Sequence, residues 1–151
     1  MPGGEISTSD IVRGAFQQGK IVFVPYTYKL KFPSQDGPKL VMDMVSLHSL
    51  DDYKTLERDA WGIPTPSKAS IFERRRCLND TETGLEGRAS ESTKGEDLDM
   101  IIMPGIAFDR EFARLGHGKG FYDFFLQRYQ QMRVKEVGRS KMPFLGEIIF
   151  L

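Results

Sequence analysis

Arg114-Leu115-Gly116-His117-Gly118-Lys119-Gly120-Phe121-Tyr122-Asp123 gathers, in ten consecutive residues, the groups needed to hold a polyphosphate. Alternating glycines let a backbone turn sharply and bring its N–H groups close to an oxyanion. The helix predicted to begin at Phe121 adds unpaired donors and a positive dipole end. Arg114 and Lys119 supply cations, and Asp123 supplies a hard oxygen ligand of the kind that holds Mg²⁺. Together these are the parts of a nucleoside triphosphate site. Read from the residues alone, the glycines could also be a tight connection, and Asp123 a first-turn acid placed favourably on the helix dipole.

Such a loop works only if rigid elements hold it. Asp99 to Met103 reads as an apolar strand closed by Pro104-Gly105, and Phe121 to about Val134 reads as a helix with Phe124, Phe125, Leu126, Tyr129 and Met132 apolar. Phe144 to Leu151 is a last strand candidate. Upstream, Ser7 to Asp10 starts a helix carrying Ile11, Val12, Ala15 and Phe16 on one stripe, and Gly19 stops it. Ile21 to Val24, ended by Pro25, suits a strand buried on both faces of a parallel sheet. Tyr26 to Phe32 and Leu40 to Leu47 flank a Pro33–Pro38 turn and read as a hairpin. Ser49 caps a short helix through Leu56. Ser67 to Asp97 is polar, carries little apolar periodicity and reads as a mobile surface loop, with Arg74-Arg75-Arg76 as a solvated charge run. Helices alternating with buried strands predict one α/β domain over residues 1–151. The glycine loop would lie beyond the carboxyl end of the Met100–Met103 strand, where open α/β sheets bind ligands.

Composition bounds the partners. The chain has 151 residues, 40% of them hydrophobic, and its 21 basic residues balance 21 acidic ones. A net charge of zero argues against a general nucleic-acid or membrane binder, so any attraction for anions is local. Cys77 is the single cysteine, which excludes an internal disulfide and a cysteine-rich zinc site and fits a reducing compartment. No apolar run is long enough to span a bilayer. A soluble cytoplasmic monomer is expected.

Met103-Pro104-Gly105, Phe108-Asp109 and the Arg114–Asp123 run, in that order, resemble the signature of the 5-formyltetrahydrofolate cyclo-ligase family. Glu5-Ile6-Ser7-Thr8, the Gln18–Pro25 segment, Met42-Asp43-Met44 and Trp61-x-Ile63-Pro64-x-Pro66 also resemble family elements in family order. The resemblance implies a three-layer, mostly parallel, Rossmann-like sheet with flanking helices. It implies ATP as co-substrate, Mg²⁺, and a small-molecule folate as substrate. The implied reaction turns 5-formyltetrahydrofolate and ATP into 5,10-methenyltetrahydrofolate, ADP and phosphate.

The resemblance also assigns roles. Arg114 and Lys119 become the catalytic cations. Residues Arg114, Leu115, Gly116, His117, Gly118, Lys119, Gly120, Phe121 and Tyr122 wrap the nucleotide, and Asp123 takes the metal. Glu5, His117, Phe121 and Trp61 face the folate, Glu5 by accepting two adjacent pterin N–H groups. The bland alternatives stand beside these: Glu5 as a charge near the first helix, Trp61 and Tyr122 as core residues, Met42 and Met44 as inward positions of a hairpin. Family members carry a basic helix and a strand before the point matching Met1, and an acidic metal-associated position beyond the point matching Leu151. The chain is therefore expected to be an incomplete domain, either an active cyclo-ligase or a non-catalytic remnant that binds nucleotide or folate weakly.

Overall fold

Aromatic and β-branched residues crowd the segments ending near Leu30 and beginning near Lys39, and such residues favour a pleated, half-buried surface. In the computed structural model they form β1 (Phe23–Lys29) and β2 (Leu40–Ser46). The two run antiparallel, in register from Phe23 opposite Ser46 to Lys29 opposite Leu40. The structure describes residues 8–30, 38–58, 63–78, 98–111, 113–137 and 143–149. The antiparallel pairing matches the expected hairpin, while its expected turn, apart from Pro38, lies outside the described residues. The buried parallel strand expected at Ile21–Val24 does not form: β1 begins at Phe23, pairs antiparallel, and leaves Ile21 exposed. Pro25 lies inside β1 instead of ending it, which a strand paired on one side tolerates.

The chain divides into two compact units, Ile11–Asp97 and Met1–Asp10 with Leu98–Leu151. α1 (Ser9–Gln17) buries Val12 and ends at Gly19, whose φ of 68° is left-handed. The N–H groups of Gly19 and Lys20 return to the carbonyls of Phe16 and Ala15 and close that end. α2 (Leu50–Thr55) is capped by Ser49, whose Oγ accepts from the Asp52 N–H at 3.1 Å, and Asp52 in turn accepts from the His48 N–H at 2.8 Å. A short antiparallel pair, β3 (Glu57–Arg58) with β4 (Pro64–Thr65), follows.

The polar stretch after Ser67 departs from its expected form. A 3-10 turn spans Ser70–Glu73, and the chain then runs along β2. Val45 bridges Arg76, the Ser46 N–H donates to the Arg75 carbonyl at 2.9 Å, and the Cys77 N–H donates to the Met44 carbonyl at 2.9 Å. β2 is therefore central, which explains why Val41 through Leu47 are all buried, Met42 and Met44 included. Cys77 and Leu78 are buried with them. The remainder of the expected loop, residues 79–97, lies outside the described residues.

Arg74 and Arg76 are not a solvated run. Arg76 donates to Asp43 Oδ2 from Nε at 2.9 Å and from Nη2 at 2.6 Å, and Asp43 has no exposed surface. Arg74 grips Asp52 with two bonds of 2.6 and 2.7 Å, and also donates to the Ser46 carbonyl and to Ser70 Oγ. The Arg74 guanidinium holds the Asp52 carboxyl down at about 2 against an ordinary 3.8; burial opposes the shift and the His48 N–H assists it. A depressed folded-state pKa adds stability above the unfolded value and loses it as pH falls through the folded one. Urea midpoints are thus expected to drop between pH of about 4 and about 2, with a smaller drop in Asp52→Asn. Superimposable pH profiles for the two proteins would contradict this.

The second unit positions the glycine loop. β5 (Met100–Gly105) pairs in parallel with β8 (Phe144–Ile149), from Met100 opposite Phe144 to Gly105 opposite Ile149. Between them come the hairpin strands β6 (Ala107–Phe108) and β7 (Arg114–Leu115), the loop and α3 (Phe121–Val137). Parallel strands need a crossover, and α3 supplies it. It buries Phe125, Tyr129 and Arg133 at four-residue spacing. The Tyr129 hydroxyl accepts from the Leu98 N–H at 3.0 Å, which ties the helix to the start of β5. The chain is a mixed α/β protein with one parallel and three antiparallel strand pairs among the described residues. No described helix is long and apolar enough to cross a membrane.

Candidate functional site

At the carboxyl end of β5 the backbone doubles back through β6 and β7, and one side chain closes that turn. Asp109 Oδ1 accepts from the N–H groups of Glu111 at 2.9 Å and Ala113 at 2.8 Å, and the Asp109 N–H donates to the Ala113 carbonyl. Asp-led turns of this kind are readable from sequence, so the spacing Asp109, Glu111, Ala113 is the signal for this positioning residue. The Ile106 N–H donates to the Leu115 carbonyl at 2.8 Å. Gly105 permits the reversal, because a Cβ there would sit 2.6 Å from the Phe108 ring. Leu115 itself is 60% exposed.

The three loop glycines are needed for two different reasons. Gly118 and Gly120 have φ of 77° and 66°, a conformation that costs other residues strain. Gly116 lacks a positive φ, yet a Cβ there would meet the Arg114 guanidinium at 2.6 Å. The Phe124 N–H takes the Gly120 carbonyl at 2.9 Å and so starts α3. The N–H groups of Gly116, His117, Gly118, Gly120, Phe121, Tyr122 and Asp123 donate to no acceptor among the described residues. Unused donors beside the positive end of a 17-residue helix are the kind of position that attracts anions. His117 and Lys119 are exposed on this loop, and Phe121 is half-buried.

Arg114 is the mechanical centre of the site. Its Nη1 donates to the Pro104 carbonyl at 3.1 Å, at the end of β5. Its Nη2 donates to Asp123 Oδ1 at 2.9 Å, in the first turn of α3. The guanidinium also lies 5.6 Å from the Tyr122 ring centroid, within cation–π range. Burial pushes the Tyr122 phenol up to about 12, with Arg114 pulling it partly back, so it stays protonated at neutral pH. Tyr122 thus packs against Arg114. The Arg114 side chain is 14% exposed and that of Asp123 is 72% exposed.

Arg114, Leu115, Gly116, His117, Gly118, Lys119, Gly120, Phe121, Tyr122 and Asp123 therefore share one loop and helix start. Glu5 and Trp61 lie outside the described residues. No group of three or more metal-ligating side chains occurs among the described residues. A divalent ion here would rely on Asp123 together with oxygens of its bound partner, the usual arrangement for Mg²⁺ with a phosphate substrate.

Comparison with known proteins decides the family. The model of the 5-formyltetrahydrofolate cyclo-ligase family matches residues 1–143. The chain belongs to this family. A protein named probable 5-formyltetrahydrofolate cyclo-ligase from Schizosaccharomyces pombe is 32% identical over 146 residues, 97% of this chain and 57% of that protein. The Mus musculus 5-formyltetrahydrofolate cyclo-ligase is 35% identical over 127 residues, 84% of this chain and 50% of that protein. A mitochondrial 5-formyltetrahydrofolate cyclo-ligase from Arabidopsis thaliana reaches 58% identity over a shorter stretch of 43 residues, 28% of this chain and 15% of that protein. The chain spans about half the length of the first two relatives. Among cyclo-ligase family members, then, this one presents the glycine loop, the α3 start and the Arg114–Asp123 pair in one assembly.

Proposed function

We propose that this chain acts in the ATP- and Mg²⁺-dependent closure of 5-formyltetrahydrofolate to 5,10-methenyltetrahydrofolate. One observation carries the proposal: the unused backbone donors of Gly116–Gly118 and Gly120–Asp123 lie beside Lys119 and Asp123 at the start of α3, in a member of the cyclo-ligase family. The formyl oxygen is a poor leaving group. Transfer of the γ-phosphoryl group to it releases ADP and activates the carbon. The folate N10 then attacks that carbon and loses its proton, phosphate departs, and the ring closes.

The protein's part is positioning and charge neutralisation. The loop N–H groups grip the phosphates, and Lys119 faces the charge that builds on the transferring group. Arg114 orders the loop and adds a second cation. Asp123 fits Mg²⁺, which would neutralise phosphate charge there. His117 and Phe121, next to these donors in the chain, are assigned to the folate together with Glu5 and Trp61. The three-layer, mostly parallel arrangement and a cytoplasmic location belong to the same proposal, the latter supported by the lone, buried Cys77.

The test is an absorbance assay for the methenyl product with ATP, Mg²⁺ and 5-formyltetrahydrofolate. Product that requires both ATP and Mg²⁺ is the expected result. Folded protein that binds ATP or folate without turnover would replace the enzyme with a non-catalytic binder.

A further inference from the structure

Every contact of the Arg114 side chain depends on which face of β7 it leaves. β6 and β7 are two residues each, and Phe108 lies opposite Arg114. The Phe108 ring and the Arg114 stem both press on Gly105, where a Cβ would stand 2.6 Å from the ring and 3.2 Å from Arg114 Cγ. From that seat the guanidinium reaches the Pro104 carbonyl, Asp123 and the Tyr122 ring. A slip of one residue in register turns a strand's side chains to the other face, and here it would take Arg114 from all three. A ladder this short holds its register weakly by itself, so the turn must set it.

That turn is tied by one side chain. Asp109 Oδ1 accepts from the N–H groups of Glu111 at 2.9 Å and Ala113 at 2.8 Å. The Asp109 N–H donates to the Ala113 carbonyl at 3.1 Å, immediately before Arg114. We propose that Asp109 is a positioning residue for the phosphate site: its Oδ1 fixes the β6–β7 register and so aims the Arg114 guanidinium. The inference rests on the reading of the glycine loop as a phosphate site. It requires an acceptor at residue 109 and not a charge. Asn offers the same oxygen and favours the same turn, whereas Ala offers neither. A carboxylate that served the ligand directly through its charge would rank the variants differently, with Asn failing alongside Ala.

Two readouts on the 151-residue chain test this. The first is the heteronuclear NOE of the Arg114 Nε–Hε group in ligand-free protein. It should report an ordered guanidinium in wild type and Asp109→Asn and a mobile one in Asp109→Ala, with the α3 amides unchanged. The second is kcat/KM for Mg²⁺–ATP. Asp109→Ala is expected to lose about 10–10²-fold, the scale of a small misplacement of a charged group, and Asp109→Asn to recover most of it. In an Arg114→Ala background, Asp109→Ala should bring no further loss, because its effect passes through Arg114. Asp109→Asn as damaging as Asp109→Ala would make the charge the working feature and overturn the inference. An Arg114 signal as ordered in Asp109→Ala as in wild type would overturn it too, as would a melt showing the whole fold lost in that variant. Wild-type protein that neither binds nor turns over Mg²⁺–ATP would remove the phosphate-site reading, and the role of Asp109 in it; the ligand-free NOE still shows separately whether Oδ1 holds Arg114.

Discussion

Lys119→Ala is expected to lower turnover by about 10²–10³-fold, the range for removing one preorganised donor from a developing negative charge. Lys119 sits between Gly118 and Gly120, whose left-handed backbones fix the direction in which the loop carries it. It is exposed, as are its two neighbours, so its loss should leave stability within about 0.5 kcal/mol of wild type. Lys119→Arg keeps the charge on a longer, planar head and should recover only part of the activity. The checks are kcat and KM for ATP, with a melting curve for each variant. A loss confined to kcat would place the ammonium on the transferring group, because an interaction made only in the transition state moves kcat and kcat/KM together. Unchanged kinetics in Lys119→Ala would remove the residue from the phosphate site.

The largest effect on folding is expected at Asp43. Its carboxylate is fully buried and fully used. Oδ2 takes both Arg76 donors, and Oδ1 takes the Met44 N–H at 2.7 Å and lies 3.4 Å from the Leu78 N–H. Asp43→Ala leaves the Arg76 guanidinium half-stranded and two backbone donors short of an acceptor. Breaking one side of a buried pair costs about 3–5 kcal/mol. For a domain of ordinary stability, about 5–15 kcal/mol, that is a large fraction. Replacing both partners with apolar residues, as in Asp43→Leu with Arg76→Met, should recover much of the loss, because no charge then stays buried alone. Urea midpoints of the single and double variants decide it. A single-variant loss below about 1 kcal/mol would show the pair to be dispensable.

These two sites differ in how far the sequence alone revealed them. The glycine loop and the helix start behind it were legible because their information is local: alternating glycines, a cation between them, and an apolar helix beginning at the next residue. The hairpin, the Ser49 cap, β5 and α3 were legible for the same reason, since each depends on periodicity or on a capping residue a few positions away. The Asp43–Arg76 and Asp52–Arg74 pairs join residues 33 and 22 positions apart, so Arg74 to Arg76 looked like an ordinary solvated run. Local pattern cannot show which distant carboxylate will neutralise a basic residue. The same holds within the site, where Gly116 is required by the folded-back Arg114 and not by its own backbone angles. Ile21 and Val22 misled in the opposite direction. They extend an apolar run, but the Leu47 N–H caps the Val22 carbonyl just outside β1, and the strand buries Val24, Tyr26 and Tyr28 instead.

The central claim is that the backbone from Gly116 to Gly120 and the first turn of α3 close around a triphosphate. The most direct measurement is an amide ¹H–¹⁵N titration of the full chain with Mg²⁺ and a non-hydrolysable ATP analogue. Saturable shifts are expected, concentrated at Gly116, His117, Gly118, Lys119, Gly120 and the Phe121–Asp123 amides. Saturation with those resonances unmoved and shifts centred elsewhere would contradict it.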